Sequence, residues 1–521
     1  MTYDFSVQAL AVVAAVFLLS VPYVRKAYFS KAQPSKSSLP LPPYLPSRVP
    51  VIGHLWGVFR ESHRYFIRLC RESPMPIFSV AIGSQKIIVI SPTLGQSISN
   101  TKNIEVTPLV ASSSKSTFKL TPLGLKLLMF DGHQGHAFGQ DVAKFMRKEL
   151  GSIQQIRTST EIFDEHLQGR FSKVQRPEVV RLGDWMFDQI LMSLITALWG
   201  KDNKIAEPEF ARSARTMFTA LTTVPLFSQS AKVKAAQGYV RNSLQTPHSI
   251  AREKSKLLAL GDNAEATPSD WDFFARFESM CKRNGVNNNA FTDMQLVMMF
   301  AFVSGMSTAS IWTLYHLVAD PALFSAVATE LRTYVKSAAK EGGDIDLEAI
   351  TLASPHLLAT WYEVFRFRLD NSNAHYVNED TEFAGTHLLP KGSIVISPII
   401  LMHQDPETWG TDATSFNPKR FILPGGQINQ ALVKKIYSLG FGRMICPGRF
   451  LGHHLVMTAL IRLLLTFDIE SPNGQVPKVP PRDGGAALGA GPATDDLEML
   501  LKPRTELGSF RFNCANLTQR W

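Results

Sequence analysis

The chain has 521 residues, 45% hydrophobic and 19% charged, a globular composition with room for a large buried core. Its net charge is +10, but the basic residues are scattered and no Lys/Arg run is interleaved with aromatics, which argues against a nucleic-acid-binding protein. Four cysteines, Cys70, Cys281, Cys446 and Cys514, are too few and too widely spaced for a disulfide scaffold or a structural zinc site.

Residues 7–24, VQALAVVAAVFLLSVPYV, are almost wholly apolar and about long enough to cross a bilayer. Asp4 precedes the run, while Arg25, Lys26, Lys31 and Lys36 follow it, so the positive-inside rule puts the rest of the chain in the cytosol. The missing basic segment ahead of the run argues against a cleaved signal peptide. On a cytosolic chain the acceptor-like NLT at Asn516 would never meet the glycosylation machinery. Residues 1–26 therefore read as a membrane anchor. Residues 27–53, with Pro40, Pro42, Pro43, Pro46 and Pro50, read as a stiff extended spacer. No convincing linker follows, so residues 54–521 are expected to form one large domain.

Residues 76–91 read as the first strand pair, with β-branched runs around Gly83-Ser84. The pattern is then mostly helical to about Lys282. The longest helix is expected over 292–320, with Thr292 as N-cap, Asp293 in the first turn and Pro321 forbidding simple continuation. Its first half, LVMMFAFVSG, is apolar on every face, which puts it through the centre of a domain. Further helices begin near Pro321 and at Ser354-Pro355. From Thr381 the chain reads as a hairpin turning at Pro390-Lys391-Gly392, then as a looser segment, HQDPETWGTDATSFNPKRF. A strong helix closes the pattern with RFLGHHLVMTALIRLLLTF. The fold class is mainly α with small β-sheets.

Between those last two segments lies LGFGRMICPGRF, residues 439–450. Gly440 and Gly442 permit positive φ and close approach of backbone to something flat or bulky. Pro447 suits the start of the following helix, so Cys446 sits at a helix N-terminus, where free N–H groups stabilise a thiolate. Such a thiolate is a nucleophile or a metal ligand. His453 and His454 lie about two turns along that helix, roughly 10 Å away, too far to serve as a base. A single thiolate on a large flat cofactor points to haem.

GFGRMICPGR resembles the cysteine loop of the cytochrome P450 family, and three further matches follow the family's order along nearly the whole chain. By that resemblance Cys446 is the ligand of haem iron, and Phe441, Arg443, Gly448 and His375 are cofactor contacts. EVFR supplies Glu363 and Arg366, and FNPKRF supplies Arg420, the trio that in the family forms a buried network holding the cysteine loop. SGMSTAS resembles the oxygen-activation segment, giving Gly305, Ser307 and Thr308. Read locally, a mid-helix threonine bonds its own i−4 carbonyl. The departures are Ser307 for the usual acid, Met444 for the usual propionate-binding arginine and Leu439 for the usual phenylalanine. His133, His136 and Arg147 are weaker contacts, and HQGH read as a metal site is their rival.

The resemblance implies a haem-thiolate catalytic domain over 54–521, anchored in the endoplasmic reticulum membrane and facing the cytosol. It would be a monooxygenase of a hydrophobic terpenoid, sterol or polyketide-like molecule in secondary metabolism. Electrons would come from NADPH through NADPH-cytochrome P450 reductase, whose acidic surface the basic chain suits. The helix segment loosely resembles the branch of steroid 7-alpha-hydroxylases and prostacyclin synthase, and it also looks like fungal secondary-metabolite enzymes of similar texture. That branch spans two chemistries, so Ser307 leaves open an isomerase or dehydratase that needs no dioxygen. A silent haem-binding membrane protein is the third class. Around 101–126 and 218–230, where a substrate pocket would be lined, no motif is readable.

Overall fold

The structure is a computed structural model that describes residues 38–47, 53–61, 64–82, 85–106, 118–129, 132–201, 203, 205, 207–223, 230–245, 273–340, 344–369, 372–440, 445–482, 493–504 and 510–519. The anchor expected over 1–26, and parts of the two expected pocket segments (107–117 and 224–229), lie outside the described residues. The chain divides into two compact units, one from Met1–Val106 with Ser372–Pro398, the other from Thr107–Asn371 with Ile399–Trp521.

The first unit carries a five-stranded sheet. Ile77–Ile82 and Gln85–Ile90 form the expected antiparallel pair, with Ile77 opposite Ile90. Gln85–Ile90 then runs parallel to Ile394–Pro398, which is antiparallel to Ser372–Val377, and Ile104–Glu105 closes the edge. β-Branched residues are dense in Ile77–Ile82, Gln85–Ile90 and Ile394–Pro398 because branched side chains pack well on a pleated surface. The amphipathic helix Arg64–Glu72 lays Tyr65, Phe66 and Leu69 against Phe78, Val80, Ile87, Val89 and Ile396.

Two details differ from expectation here. The hairpin pairs Thr381–Phe383 with His387–Leu389 and turns at Ala384 and Gly385, both at positive φ, so Pro390-Lys391-Gly392 is not its turn. That second turn instead redirects the chain into the main sheet, where the Gly392 amide donates to Val377 O. The proline-rich segment is extended, but its end is not free. Leu45 N donates to Ser79 O and Ser79 N to Pro43 O, so residues 43–45 add a short edge to the sheet.

The second unit is helical around Asn288–Val318, here termed the central helix. It is 31 residues long, about 46 Å at 1.5 Å per residue. Among the described residues it is the one helix long and apolar enough to cross a membrane, but both its ends are packed inside this unit. It begins four residues before the expected start, because Asn287, not Thr292, caps it: the Asn287 side chain accepts from the Ala290 amide at 2.9 Å. Thr292 and Asp293 are buried inside the helix. Asp293 binds outward, accepting from Arg241 Nη2 (2.7 Å), Thr121 N (2.8 Å) and Thr121 Oγ1 (2.5 Å).

Three helices packed on the central one matter for the site. Pro355–Phe367 is the network helix, Arg449–Thr466 the post-cysteine helix, and Leu182–Trp199 a largely buried neighbour. Pro355 stands at the first turn as its fixed φ allows, though Ser354 Oγ bonds Ile350 O and does not cap the helix. Helix Pro321–Lys340 starts where proline ends the central helix.

Candidate haem site

The network helix presents Glu363 and Arg366 on one face, three residues apart, inside the unit. Both side chains are fully buried, so neither charge survives without partners. Arg366 Nε and Nη2 grip the Glu363 carboxylate at 2.7 and 2.6 Å. Its remaining donors reach main-chain carbonyls: Nη1 to His403 O and Ala413 O, both at 2.6 Å, and Nη2 to Ser415 O at 2.8 Å. Every N–H of the guanidinium is therefore used, the condition under which a buried arginine is tolerable. Arg420 reaches Glu363 Oε1 at 3.3 Å and Asp412 Oδ1 at 3.0 Å. The Asn417 amide gives Glu363 Oε1 a further bond at 2.7 Å. The expected trio is thus assembled, and it knits the segment that the sequence shows only as loose.

That segment leads into the cysteine loop. Ser438 Oγ donates to Phe365 O at 2.5 Å, tying the loop's approach to the network helix. Gly440 sits at φ +79°, a conformation that suits glycine, and its amide closes a turn on Tyr437 O. The Cys446 amide returns to Leu439 O at 2.8 Å, so the loop is pinned at both ends. Phe441, Gly442, Arg443 and Met444 lie outside the described residues.

Cys446 is a free thiol, partly exposed as a residue. Burial of its sulfur pushes the thiol pKa up, while the Gly448 backbone N–H and the Arg449 charge oppose that shift. Arg449 Nη1 also donates to Cys446 O at 3.0 Å. The helix itself begins at Arg449, two residues later than the Pro447 start expected, with Pro447 and Gly448 forming a turn. His454 Nε2 is engaged by Thr518 O at 2.7 Å, and burial holds His453 down at about 3. Neither histidine is available as a base for the sulfur, which removes support from a nucleophilic cysteine.

Gly448 and Gly452 place this turn against the central helix. A Cβ on Gly448 would lie 3.9 Å from Phe302, and one on Gly452 3.6 Å from Met306 Cγ. The same stretch of central helix has a face unlike the rest. Ala301 is exposed and Ser304, Gly305 and Thr308 partly so, whereas Val303, Ser307, Ala309 and Ser310 are buried. The spacing i, i+3, i+4, i+7 makes the open residues one stripe. A Cβ at Gly305 would meet no atom within 4 Å. A pinned cysteine whose turn packs against Phe302 and Met306, on a helix with open space at Gly305, is the donor set and shape that a flat haem requires, so the residues present fit the group.

The remaining candidates separate. Ser307 is buried, and its Oγ has no hydrogen-bond partner among the described residues. His375 lies in the other unit, on Ser372–Val377, buried and held down at about 4 by burial, with Nδ1 unpartnered among the described residues. His133 and His136 fall at the start of helix Gly132–Gly151, where their side chains are not described, and Arg147 is exposed on it. Among the described residues there is no cluster of His, Cys, Asp or Glu able to hold a metal ion. Sequence reasoning missed His403, Asp412 and Asn417. Their signal was the density of turn and cap residues in HQDPETWGTDATSFNP, which looked like punctuation alone.

The family model for cytochrome P450 matches residues 42–495, across both units. A cytochrome P450 monooxygenase of Gibberella zeae is 23% identical over 447 residues, covering 83% of this chain and 82% of its own. Cytochrome P450 monooxygenase nodJ of Hypoxylon pulicicidum is 23% identical over 477 residues, covering 83% and 84%. Carnosic acid synthase of Rosmarinus officinalis is 22% identical over 506 residues, covering 90% and 94%. With the cysteine loop, the buried network and the open stripe already in place, the match settles the family: the chain belongs to the cytochrome P450 family and is a haem-thiolate monooxygenase.

Proposed function

We propose that Cys446 supplies the thiolate to haem iron and that the stripe Ala301–Thr308 faces the substrate and oxygen side. The observation that carries this is the pinned cysteine turn packed against Phe302 and Met306, beside the open space at Gly305. When bound, the haem supplies oxygen activation, with the thiolate's electron donation favouring O–O cleavage. The protein's residues do the rest. The Gly448 N–H and Arg449 stabilise negative charge on the sulfur. Glu363, Arg366 and Arg420 hold the loop and take no part in the chemistry. Gly305 leaves room for substrate and oxygen, and the Thr308 hydroxyl stands on the open stripe to pass a hydrogen bond or proton. Ser307 is turned away from that stripe and buried, so water and Thr308 carry the proton. By the family resemblance Gly448, Phe441 and Arg443 are further candidates for cofactor contact. By the family resemblance His375 is a further candidate for a haem propionate, a role that matters more with Met444 in the usual arginine's place.

The substrate in this reading is a hydrophobic small molecule of terpenoid, sterol or polyketide type, oxidised in secondary metabolism. Support comes from the aromatic residues near the stripe, where Phe118 and Phe218 meet Phe300 at ring distances of 5.8 and 5.3 Å. Residues 1–26 anchor the enzyme in the endoplasmic reticulum membrane, 27–53 space it from the bilayer, and 54–521 form the catalytic domain in the cytosol. Electrons arrive from NADPH through cytochrome P450 reductase, and the net charge of +10 favours an acidic partner.

The test is the carbon monoxide difference spectrum of the reduced, purified enzyme beside Cys446→Ala. A strongly red-shifted Soret band, lost in the variant, is expected. A histidine-type spectrum in the wild-type enzyme would overturn the ligand assignment.

A further inference from the structure

His403 ends the short helix Ile399–His403, in the segment that the sequence shows as loose, and it is completely buried. Its two ends do different things. The backbone carbonyl takes Arg366 Nη1 at 2.6 Å, which makes His403 part of the charged network. The ring nitrogen Nε2 accepts the Tyr437 amide at 3.0 Å, nine residues before Cys446, on the chain that enters the cysteine loop. The ring also lies parallel to the Tyr437 ring, 5° apart in plane at 6.2 Å, and edge-on to Trp409 at 5.9 Å.

The bond fixes the tautomer. An Nε2 that accepts carries no proton, so the proton is on Nδ1. That Nδ1–H has no hydrogen-bond partner among the described residues. A buried N–H without an acceptor is costly, and an apolar ring of similar shape would avoid the cost. Ring stacking alone would be served as well by phenylalanine. The feature that an apolar ring cannot supply is the acceptor at Nε2. The neighbouring tie, Ser438 Oγ to Phe365 O, runs from the side chain and leaves the Tyr437 amide to His403.

We propose that His403 is a positioning residue for the cysteine ligand: by accepting the Tyr437 amide at Nε2 while its carbonyl engages Arg366, it transmits the rigidity of the buried network to the cysteine loop. This rests on Cys446 being the haem ligand. Loss of the acceptor orphans the Tyr437 amide and frees the loop's approach, so Cys446 is no longer held where iron needs it.

The test compares His403→Gln, His403→Asn and His403→Phe in the full-length holoenzyme. Glutamine places an acceptor oxygen close to the position of Nε2, asparagine falls one bond short, and phenylalanine keeps the ring without the acceptor. The readout is the share of bound haem giving the thiolate-type band with carbon monoxide, and the urea concentration at which that band disappears. His403→Gln should stay near wild type. His403→Asn and His403→Phe should shift the ratio of thiolate-ligated to unligated haem by roughly 5- to 150-fold, the equivalent of one orphaned buried amide. Should His403→Phe fail to fold, the glutamine and asparagine variants, alike in polarity, decide the matter alone. Equal loss in glutamine and asparagine, or no loss in any variant, would overturn the proposal. A wild-type enzyme lacking the thiolate band would instead overturn the ligand assignment on which it rests.

Discussion

The network around Glu363 and the stripe on the central helix are built on opposite plans. Around Glu363 two arginines and a carboxylate are buried, and every guanidinium N–H of Arg366 is matched to an acceptor. On the stripe, one stretch of an otherwise apolar helix carries small residues, open space at Gly305 and, on its flank, a buried Ser307 hydroxyl with no partner among the described residues. The first plan maximises order. The second forgoes packing, as the proposed substrate and oxygen side requires. The lesson is that buried order and open space reside on different helices of one unit, helices that pack directly on each other and that both meet the cysteine turn.

Breaking the ordered side should cost most. Arg366→Ala leaves Glu363 charged and buried beside two abandoned carbonyls, His403 O and Ala413 O, which should cost about 3–5 kcal/mol and prevent stable haem loading. Haem content per folded protein checks this, and near-normal loading would show that the network is not what holds the loop. On the open side, Thr308→Ala should leave folding unchanged while diverting NADPH-derived electrons into peroxide. An unaltered product-to-NADPH ratio would remove Thr308 from oxygen activation.

A subtler contrast comes from Gly305→Ala. Glycine inside a helix costs roughly 0.5–1 kcal/mol relative to alanine, and the new methyl meets no atom, so the variant should melt higher. If, as proposed, substrate and oxygen enter there, the same methyl intrudes on them, so turnover should fall while stability rises. A variant with both improved would mean that the space at Gly305 is not used.

A last expected effect is on pH dependence. Burial holds His403 and His453 at about 3, against about 6.5 when unfolded. Below about pH 6.5 the unfolded chain takes up protons that these folded rings refuse, so stability falls with decreasing pH until about pH 3. Above pH 6.5 they contribute no slope. Each ring is worth up to about 1.4 kcal/mol per pH unit in that window. Thermal melting at pH 7.5 and 5.5 measures it, and an unchanged midpoint would show that the rings are not neutral in the fold.

Much of this was legible in the sequence for identifiable reasons. Cys446, Glu363, Arg366 and Arg420 stand in short motifs whose spacing is local, and the two strands at 76–91 and the helices at Pro321, Pro355 and Arg449 announce themselves by periodicity and proline. The central helix was found with the wrong cap, because Asn287 through Asn289 look like a loop until the first turn is seen to start there. The hairpin turn was misplaced because Pro-Lys-Gly is the stronger turn signal than Ala-Gly-Thr, yet the strand after it pairs elsewhere. His403 was illegible because its partners, Arg366 and Tyr437, are 37 and 34 residues away and carry no shared motif.

The sheet of the first unit is sewn from both ends of a very long detour. Gln85 bonds Gly392 across 307 residues, and the apolar strand Gln85–Ile90 finds its parallel partner only at Ile394–Pro398. During synthesis at ~5–20 residues per second, that strand therefore waits roughly 15–60 s with an open, β-branched edge. An edge of that kind invites other chains to pair with it. The nascent chain is thus vulnerable to aggregation through that edge before Cys446 is made, and a chain that stalls short of residue 398 leaves the ribosome with that edge still bare.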